Sequence, residues 1–474
     1  MNFYFEAAKI LDRLDAKEGS VKGMLGSLPD KDRKRTAALV IETLKFRPAL
    51  TDIIHQSKLL QAERKKITTL NLALVLVHDV LLSKGIQAGS GPVKEAILRH
   101  KTRLNAELQK LKIKKGVQRN EDLAQQQDQR AERIPRYVRV NTHEWTAKEA
   151  IASYTSKGFT LSGPFESSKG FCSDEHIPNL LQFAPRTLFH DDEAYNSGKV
   201  ILQDKASCFP AAILDPPASD AAVVIDATAA PGNKTSHLSA LMGNRGKLYA
   251  FERDRRRFST LTKMLSNAQC KNVSPVNADF LTVDPLDPSY ASVTHILLDP
   301  SCSGSGIVNR MDYLVEQESE NETEQADRLQ KLAKFQLLMI KHAMKFPSVH
   351  RIVYSTCSIH AIENEHVVRD ALKSDEACTN NFRLAPRDQV LPTWPRRGLP
   401  GEMDDPDLAA SLVRCAPGED ATNGFFVSCF VRSVSDASSS GGDAQGHKRK
   451  GDPLDVEPGS GHSKKKKKKR KVAH

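Results

Sequence analysis

The sequence predicts an α/β protein with a Rossmann-like open sheet, preceded by an all-α bundle and a small α+β module and followed by a disordered basic tail. Three short runs rich in β-branched residues, AVVIDA, THILLDP and HRIVYSTC, each enter a turn of small residues, as buried parallel strands do. Apolar residues at helical spacing dominate residues 1–117. Residues 434–474 combine low hydrophobicity with many lysines and have no periodicity.

The N-terminal part of the chain, residues 1–117, is predicted to be a helical bundle. Four segments carry the helical pattern: FYFEAAKILDRL, AALVIETLKF, LNLALVLVHDVLL and VKEAILRHKTRLNAELQKL. Residues 118–133 form a polar linker. Residues 134–200 begin with IPRYVRVNT and combine one helical pattern with short β-like runs, which predicts the small α+β module.

Residues 201–433 form the predicted sheet domain, and its first strand leads into the turn TAAPGNKT. Small residues let the backbone approach a ligand, and the following helix start offers free N–H groups. The phosphate-binding pattern GxxxxGK(S/T) and the dinucleotide pattern GxGxxG are both absent. Glu252 ends the next strand 20 residues after Gly232, about the spacing at which a carboxylate meets ribose hydroxyls, and Asp279 and Asp299 end later strands. Each acid alone is as readily solvated or a helix cap, but together they predict an adenosine-containing ligand without phosphates, which S-adenosylmethionine fits.

Two cysteines lie at the ends of two predicted strands, Cys302 in DPSCSGSG and Cys357 in YSTCSIHAIENE. Active sites of open α/β sheets lie beyond the carboxyl ends of the strands, so the two thiols can meet over one substrate. A lone cysteine at such a place is more often an ordinary buried thiol. The Asp-Pro-Ser before Cys302, the Ser-Thr before Cys357 and the ligand turn upstream favour a catalytic pair.

These motifs resemble those of the Sun/Fmu family of RNA cytosine-C5 methyltransferases, over about Ile134 to Arg432. TAAPGNKT resembles the family's cofactor loop, DPSCSGSG its first cysteine motif, and STCS followed by ENE its second; IPRYVRVNT, ILQDKAS and NGFFVSCFVR extend the similarity. The family usually has Asp-x-Pro-Cys where this chain has Asp-Pro-Ser-Cys. That variant, with NEDL at Asn120–Leu123, looks most like the eukaryotic subfamily acting on large-subunit ribosomal RNA. The resemblance implies a class I S-adenosylmethionine methyltransferase fold.

The resemblance also implies the roles of the site residues. Cys357 adds to C6 of cytosine, which lets C5 attack the methyl sulfonium, and Cys302 assists elimination of the adduct. The presence of the second cysteine favours RNA over DNA as substrate. Asp299 is placed to hydrogen-bond the N3/N4 edge of the base, and Lys234 to meet the cofactor or the nearby carboxylates. The cofactor site then comprises Thr228, Ala229, Ala230, Pro231, Gly232, Asn233, Lys234, Glu252, Arg257, Asp279 and Asp299.

In the family the small module precedes the catalytic domain and contacts RNA. Two interpretations of its first strand stay open: Arg136, Tyr137 and Arg139 contact phosphates and stack on bases, or Tyr137 is a core residue and the arginines are solvated. Residues 1–140 carry 28 basic and 16 acidic residues, whereas residues 141–433 are net acidic. The first part of the chain is therefore expected to hold most of the RNA.

The whole chain excludes several classes of protein. Its 8 cysteines include no CxxC pair, so neither a metal site nor a disulfide framework is expected. The protein is expected in a reducing compartment. The N-terminus is amphipathic and contains acids, unlike a secretory signal. The longest apolar stretch, around Leu70–Leu82, is broken by Asn71, His78 and Asp79, so no membrane span is expected.

Two segments are expected to lack fixed structure. The acidic segment Met311–Asp327 reads as a mobile loop. In the tail, KRK and KKKKKKRK flank a spacer, as in a bipartite nuclear import signal, which implies import receptors as partners and a nuclear and nucleolar location; a non-specific RNA-binding tail is the alternative. Proteins of the pre-ribosomal particle are further expected partners.

Two rival functions remain at this stage. One is the same chemistry on tRNA or mRNA. The other is a catalytically silent ribosome-assembly scaffold, against which the intact Cys302, Cys357, Asp299 and Glu252 count, because a scaffold needs neither thiol.

Overall fold

The computed structural model of the protein describes residues 2–16, 18–19, 21–26, 28, 33–125, 128–308, 314 and 322–433. The predictions for the basic tail and for most of the acidic segment lie outside the described residues. Where that segment is described, the loop prediction is wrong, because a helix already begins at Glu322. Acidic residues favour the first turn of a helix, where they face its positive end. Within the described residues, no helix combines the length and apolarity that crossing a membrane requires.

The N-terminal bundle is arranged around one buried helix. Its helices are α1 (Asn2–Asp15), α2 (Val21–Gly26), α3 (Arg33–Lys45), α4 (Arg47–Gln56), α5 (Leu59–Ala62), α6 (Leu70–Leu82), α7 (Pro92–Arg99) and α8 (Lys101–Lys115). Every residue of α6 from Asn71 to Val80 is buried, and α1, α3, α4 and α8 contact it. The polar residues that interrupt its apolar run are hydrogen-bonded: Tyr4 Oη donates to Asp79 Oδ2 at 2.5 Å. The segment predicted as one helix from Val93 is two, α7 and α8, which meet at His100.

The small module is a five-stranded sheet with two helices. Its elements are β1 (Arg136–Val140), α9 (Ala147–Ser156), β2 (Thr160–Leu161), β3 (Gly170–Ser173), β4 (Leu180–Phe183), α10 (Glu193–Asn196) and β5 (Val200–Leu202). The strand order is β2-β3-β4-β1-β5. Tyr154 of α9 packs against Phe171 and Phe183 of the sheet, so aromatic residues form the core of this module.

Strand β1 decides between the two interpretations of its polar residues. Tyr137 is buried and its Oη donates to the backbone oxygen of Ala421 at 2.7 Å, which confirms it as a core residue. Arg139 is neither solvated nor on an RNA surface: only 1% of it is exposed, and its guanidinium donates to Gln203 Oε1 at 2.8 Å and to Ser236 Oγ at 2.7 Å. Both expectations for Arg139 are therefore wrong, because it ties the small module to the sheet domain. Arg136 is exposed.

The sheet domain has the predicted α/β architecture, with helices α11 (Lys205–Leu214), α12 (Asn233–Leu241), α13 (Arg255–Asn267), α14 (Glu322–Ala343), α15 (Glu365–Leu372) and α16 (Asp375–Thr379). Its strands are β6 (Val223–Asp226), β7 (Lys247–Phe251), β8 (Val273–Val276), β9 (His295–Leu298), β10 (Arg351–Thr356), β11 (Phe382–Leu384), β12 (Val413–Cys415) and β13 (Phe425–Arg432). Short 3₁₀ helices lie at Glu121–Leu123, Gln129–Arg133, Phe280–Thr282, Ala361–Glu363, Arg387–Gln389, Pro400–Glu402 and Pro406–Ser411.

The order of the large sheet is β11-β13-β10-β9-β6-β7-β8, with β12 paired to β13. Strands β6 to β10 are parallel, and β13 is antiparallel to β10 and β11. Strand β13 lies inside the sheet, between β10 and β11. From β6 the chain continues to β7 and β8 on one side of it, and then to β9 and β10 on its other side. The order in which strands are added therefore reverses between β6 and β9. Ligand sites of doubly wound sheets form at such a switch point.

Candidate active site

Residues of the site lie at the carboxyl ends of three neighbouring parallel strands; Asp299 and Cys357 were predicted for chemistry, and Asp226 was not. Asp226 ends β6, Asp299 follows β9, and Cys357 follows β10. Since carboxyl ends of parallel strands share one edge of a sheet, the three side chains lie around one point at the switch of direction.

The two cysteines of the paired motifs are in contact. The Sγ atoms of Cys302 and Cys357 lie 3.0 Å apart at partly exposed positions, and no disulfide joins them. The hydrogen bond with Cys357 and burial raise the pKa of Cys302 well above its usual value. Cys302 therefore keeps its proton, which it can donate to the sulfur of Cys357.

Backbone contacts hold the two cysteine loops together. The N–H of Gly306 donates to the carbonyl of Cys357 at 2.9 Å, and the N–H of Gly424 donates to the carbonyl of Gly306 at 2.7 Å. A β-carbon at Gly306 would collide with the backbone of Gly424. Glycine is thus the residue that permits this approach, and the turn before β13 closes one side of the site.

Asp299 is the centre of a polar cluster beside the thiols. Its carboxylate pairs with Lys234 Nζ at 2.7 Å and accepts a hydrogen bond from Ser355 Oγ at 2.8 Å. Lys234 Nζ also donates to Ser207 Oγ at 3.1 Å. Burial lowers the pKa of Lys234, but the charge and hydrogen bond of Asp299, together with the charges of Cys357 and Asp226, outweigh burial, and the net direction is upward. The lysine therefore stays an ammonium ion, and of its two predicted partners it meets the carboxylate.

The predicted cofactor loop, Thr228–Lys234, crosses from β6 to α12. Asp226 is buried and accepts hydrogen bonds from Thr235 Oγ1 at 2.8 Å and from the N–H of Thr228 at 3.3 Å. Burial raises the pKa of Asp226 to about 6. Gly232 is the N-cap of α12 and has a φ of 116°, in the left-handed region that favours glycine. The loop thus has a fixed path with small residues at Ala229 and Ala230.

Glu252 follows β7, Asp279 lies just beyond β8, and Arg257 is in the first turn of α13. The exposed fraction of Glu252 is 5%; its Oε1 accepts the N–H of Asp254 at 2.9 Å, and its Oε2 is 3.5 Å from Arg257 Nη1. Arg257 also donates to the carbonyl of Ala230 at 2.8 Å, so it links this strand end to the loop. Asp279 caps a 3₁₀ helix and lies near Arg253. Acceptor oxygens beside a backbone loop, rather than a cluster of cations, suit the hydroxyls and amine of an adenosine.

Replacing Glu252 by alanine is expected to weaken the binding of S-adenosylmethionine. A hydrogen bond to a charged group is worth ~1.5–3 kcal/mol, which corresponds to a roughly tenfold to hundredfold loss of affinity. Isothermal calorimetry measures it, with Asp220→Ala as the control, since Asp220 pairs with Arg245 at an exposed position. If Glu252→Ala binds S-adenosylmethionine with unchanged affinity, Glu252 does not contact the cofactor.

Several residues of the site were not predicted. Gln336 of α14, together with Ser303, Ser355 and Glu363, forms hydrogen bonds around the cysteine loops. The letters ENE directly after the second cysteine motif were a signal for Glu363, but nothing in the sequence near Gln336 indicates a position at the site.

Comparison with known proteins identifies the family. Residues 211–431 match the family described as 16S rRNA methyltransferase RsmB/F. Residues 34–124 and 134–203 match the N-terminal and ferredoxin-like domains of NOL1/NOP2/Sun domain family member 5.

Two curated relatives and one solved structure extend this match. The chain is 44% identical over 428 residues to the 25S rRNA (cytosine-C(5))-methyltransferase rcm1 of Schizosaccharomyces pombe, covering 90% of each chain. It is 42% identical over 445 residues to the 28S rRNA (cytosine-C(5))-methyltransferase of Mus musculus, covering 91% of each. The crystal structure of PH0851 has the same fold, with a TM-score of 0.59 at 21% identity over 86% of this chain and 92% of that one. The family predicted from the paired cysteine motifs is confirmed, and the chain belongs to the Sun/RsmB-F family of RNA methyltransferases.

Proposed function

We propose that this protein transfers a methyl group to C5 of a cytosine in large-subunit ribosomal RNA. The observation that carries the proposal is the pair of thiols 3.0 Å apart at the switch point of the sheet, beside the carboxylate of Asp299. The relatives at 44% and 42% identity, which are named for this activity on 25S and 28S rRNA, support the choice of substrate. S-adenosylmethionine, when bound, supplies the methyl group as an electrophilic sulfonium.

The first step of the proposed mechanism belongs to Cys357. Its thiolate adds to C6 of the base, which converts the C5–C6 bond into an enamine and makes C5 a nucleophile. The ammonium of Lys234 lies in the same cluster, and the negative charge of a Cys357 thiolate raises the pKa of Lys234, so the two charges stabilise each other. Asp299 accepts from the exocyclic amine of the base, and Lys234 compensates the charge of the carboxylate.

The second step belongs to Cys302. After methylation, water takes the proton from C5, the electron pair of that C–H bond forms the C5–C6 double bond again, and the bond between C6 and the sulfur of Cys357 breaks with its electron pair leaving on the sulfur. Cys302 lies within hydrogen-bond distance of the departing sulfur and can stabilise it as it leaves. The two thiols thus act in sequence on one base.

RNA is proposed to bind mainly to basic surface outside the sheet domain. Helix α8 presents exposed basic residues at Lys101, Arg103, Lys110, Lys114 and Lys115. Such groups neutralise phosphates and make binding salt-dependent. Arg136 is the exposed member of the three polar residues of β1, so it stays a candidate for RNA contact, whereas Tyr137 and Arg139 do not.

The finer assignments complete the proposal. We propose that the chain divides into domains at 1–117, 118–133, 134–200, 201–433 and 434–474. We also propose that the basic tail directs the protein to the nucleus and nucleolus through import receptors. Proteins of the pre-ribosomal particle are further proposed partners. The charge of the tail and the ribosomal substrates of the relatives support them.

Bisulfite sequencing of total RNA from cells with and without the protein tests the function. We expect one or a few cytosines of large-subunit ribosomal RNA to lose protection when the protein is absent. Cells that express Cys357→Ala should match the deletion, whereas a scaffold would keep the protection. Loss confined to tRNA or mRNA would favour the rival substrates.

A further inference from the structure

A buried carboxylate contacts the loop that carries Cys302. The exposed fraction of Glu363 is 0%. Its Oε1 accepts the backbone N–H of Ser303 at 2.9 Å, and its Oε2 accepts the hydroxyl of Ser303 at 2.5 Å. Both oxygens therefore hold one residue, and that residue is the neighbour of Cys302.

The carboxylate is itself fixed from the other side. Gln336 Nε2 donates to Glu363 Oε1 at 3.0 Å and to the carbonyl of Ser301 at 3.1 Å. Tyr354 Oη donates to the backbone oxygen of Glu363 at 2.5 Å. Among the described residues, no basic side chain forms an ion pair with Glu363. A buried carboxylate without a cation is costly, so its three hydrogen bonds must compensate for lost hydration.

The two following residues have different partners. Asn364 joins the second cysteine loop, because its Nδ2 donates to the carbonyl of Ser358 at 3.0 Å. Glu365 is equally buried but forms a bidentate pair with Arg414, at 2.6 and 2.7 Å. Glu363 and Glu365 are thus two buried carboxylates two positions apart, of which one hydrogen-bonds the Cys302 loop.

We propose that Glu363 is a positioning residue that holds the Cys302 loop, so that Cys302 stays in contact with Cys357 while the methylated base is released. The inference rests on the proposed function for the step that it affects, but the position of the loop can be measured without RNA. A displacement of about 1 Å at a reacting group is enough to lower a rate by roughly a hundredfold.

The first experiment measures the distance between the thiols chemically. Diamide removes two hydrogens from two neighbouring thiols and leaves a disulfide, and peptide mass mapping identifies the Cys302–Cys357 link. The wild type should cross-link rapidly, and Glu363→Ala about tenfold more slowly. Glu363→Gln, which keeps one acceptor for Ser303, should fall between them, and Ser303→Ala should lose less than Glu363→Ala. Glu365→Ala, the matched control, should cross-link like the wild type even though it loses a buried ion pair.

The second experiment measures release. Each full-length variant is incubated with S-adenosylmethionine and large-subunit ribosomal RNA from cells that lack the protein, and covalent protein–RNA complexes are counted on a denaturing gel. Glu363→Ala should accumulate the complex, as Cys302→Ala does, while its multiple-turnover rate falls by about tenfold to a hundredfold. Glu365→Ala should not accumulate it.

The outcomes separate the two claims. If Glu363→Ala and Glu365→Ala cross-link at the same reduced rate, Glu363 stabilises the fold in general and the inference is wrong. If Glu363→Ala cross-links slowly but only Cys302→Ala accumulates the complex, the carboxylate does not act on release and the inference is also wrong. If neither Glu363→Ala nor Cys302→Ala accumulates the complex while the wild type methylates RNA, Cys302 has no role in release, and the inference is wrong as well.

Discussion

Replacing Cys357 by alanine is expected to abolish methyl transfer, and replacing Cys302 is expected to trap the enzyme on its RNA. Without the sulfur of Cys357 no bond to C6 forms, C5 stays a poor nucleophile, and we expect at least a roughly thousandfold loss of rate and no covalent complex. Without Cys302 addition and methylation proceed, but the sulfur of Cys357 loses the thiol 3.0 Å away that assists its departure. The covalent complex should therefore accumulate.

A denaturing gel with radiolabelled RNA, together with the release of tritium from C5, distinguishes these results. Cys378→Ala is the control, because that thiol is free and exposed. A complex that appears with Cys357→Ala and not with Cys302→Ala would reverse the two roles. Accumulation in neither variant would contradict covalent catalysis by this pair.

Replacing Asp299 by asparagine is expected to lower the rate at saturating cofactor by roughly a hundredfold to a thousandfold, the scale of losing one electrostatic group in an active site. The change removes the anion that pairs with Lys234 at 2.7 Å and leaves a largely enclosed ammonium ion without its carboxylate. It also removes the acceptor that we assign to the exocyclic amine of the base.

The control for this prediction is Ser355→Ala, which deletes one hydroxyl donor to the same carboxylate but keeps its charge and its pair with Lys234, and should cost roughly tenfold, less than Asp299→Asn. Single-turnover kinetics give the rate, and calorimetry gives the affinity for S-adenosylmethionine. If Asp299→Asn lost only affinity for S-adenosylmethionine and kept its rate, Asp299 would belong to the cofactor site alone.

The chemistry of the site could be predicted because it follows from local patterns. Asp299 and Cys357 each come directly after a short β-branched run, and runs of this kind in an α/β protein become parallel strands whose ends meet. The spacing from Gly232 to Glu252 spans one helix and one strand, which is also local. Sequence alone was therefore sufficient for the α/β fold, the family and the meeting of the two cysteines.

Tertiary contacts decided what those patterns left open. Arg139 is an exposed-looking arginine on a strand, but its partners Gln203 and Ser236 lie 64 and 97 residues away, and they bury it. The pairing of Lys234 with Asp299, and of Glu363 with Ser303, likewise joins residues about 60 positions apart. Hydrophobic period and turn chemistry report the neighbours of a residue along the chain. The partner of a buried charge depends instead on which elements pack together, because its desolvation must be compensated by whatever group the fold brings there.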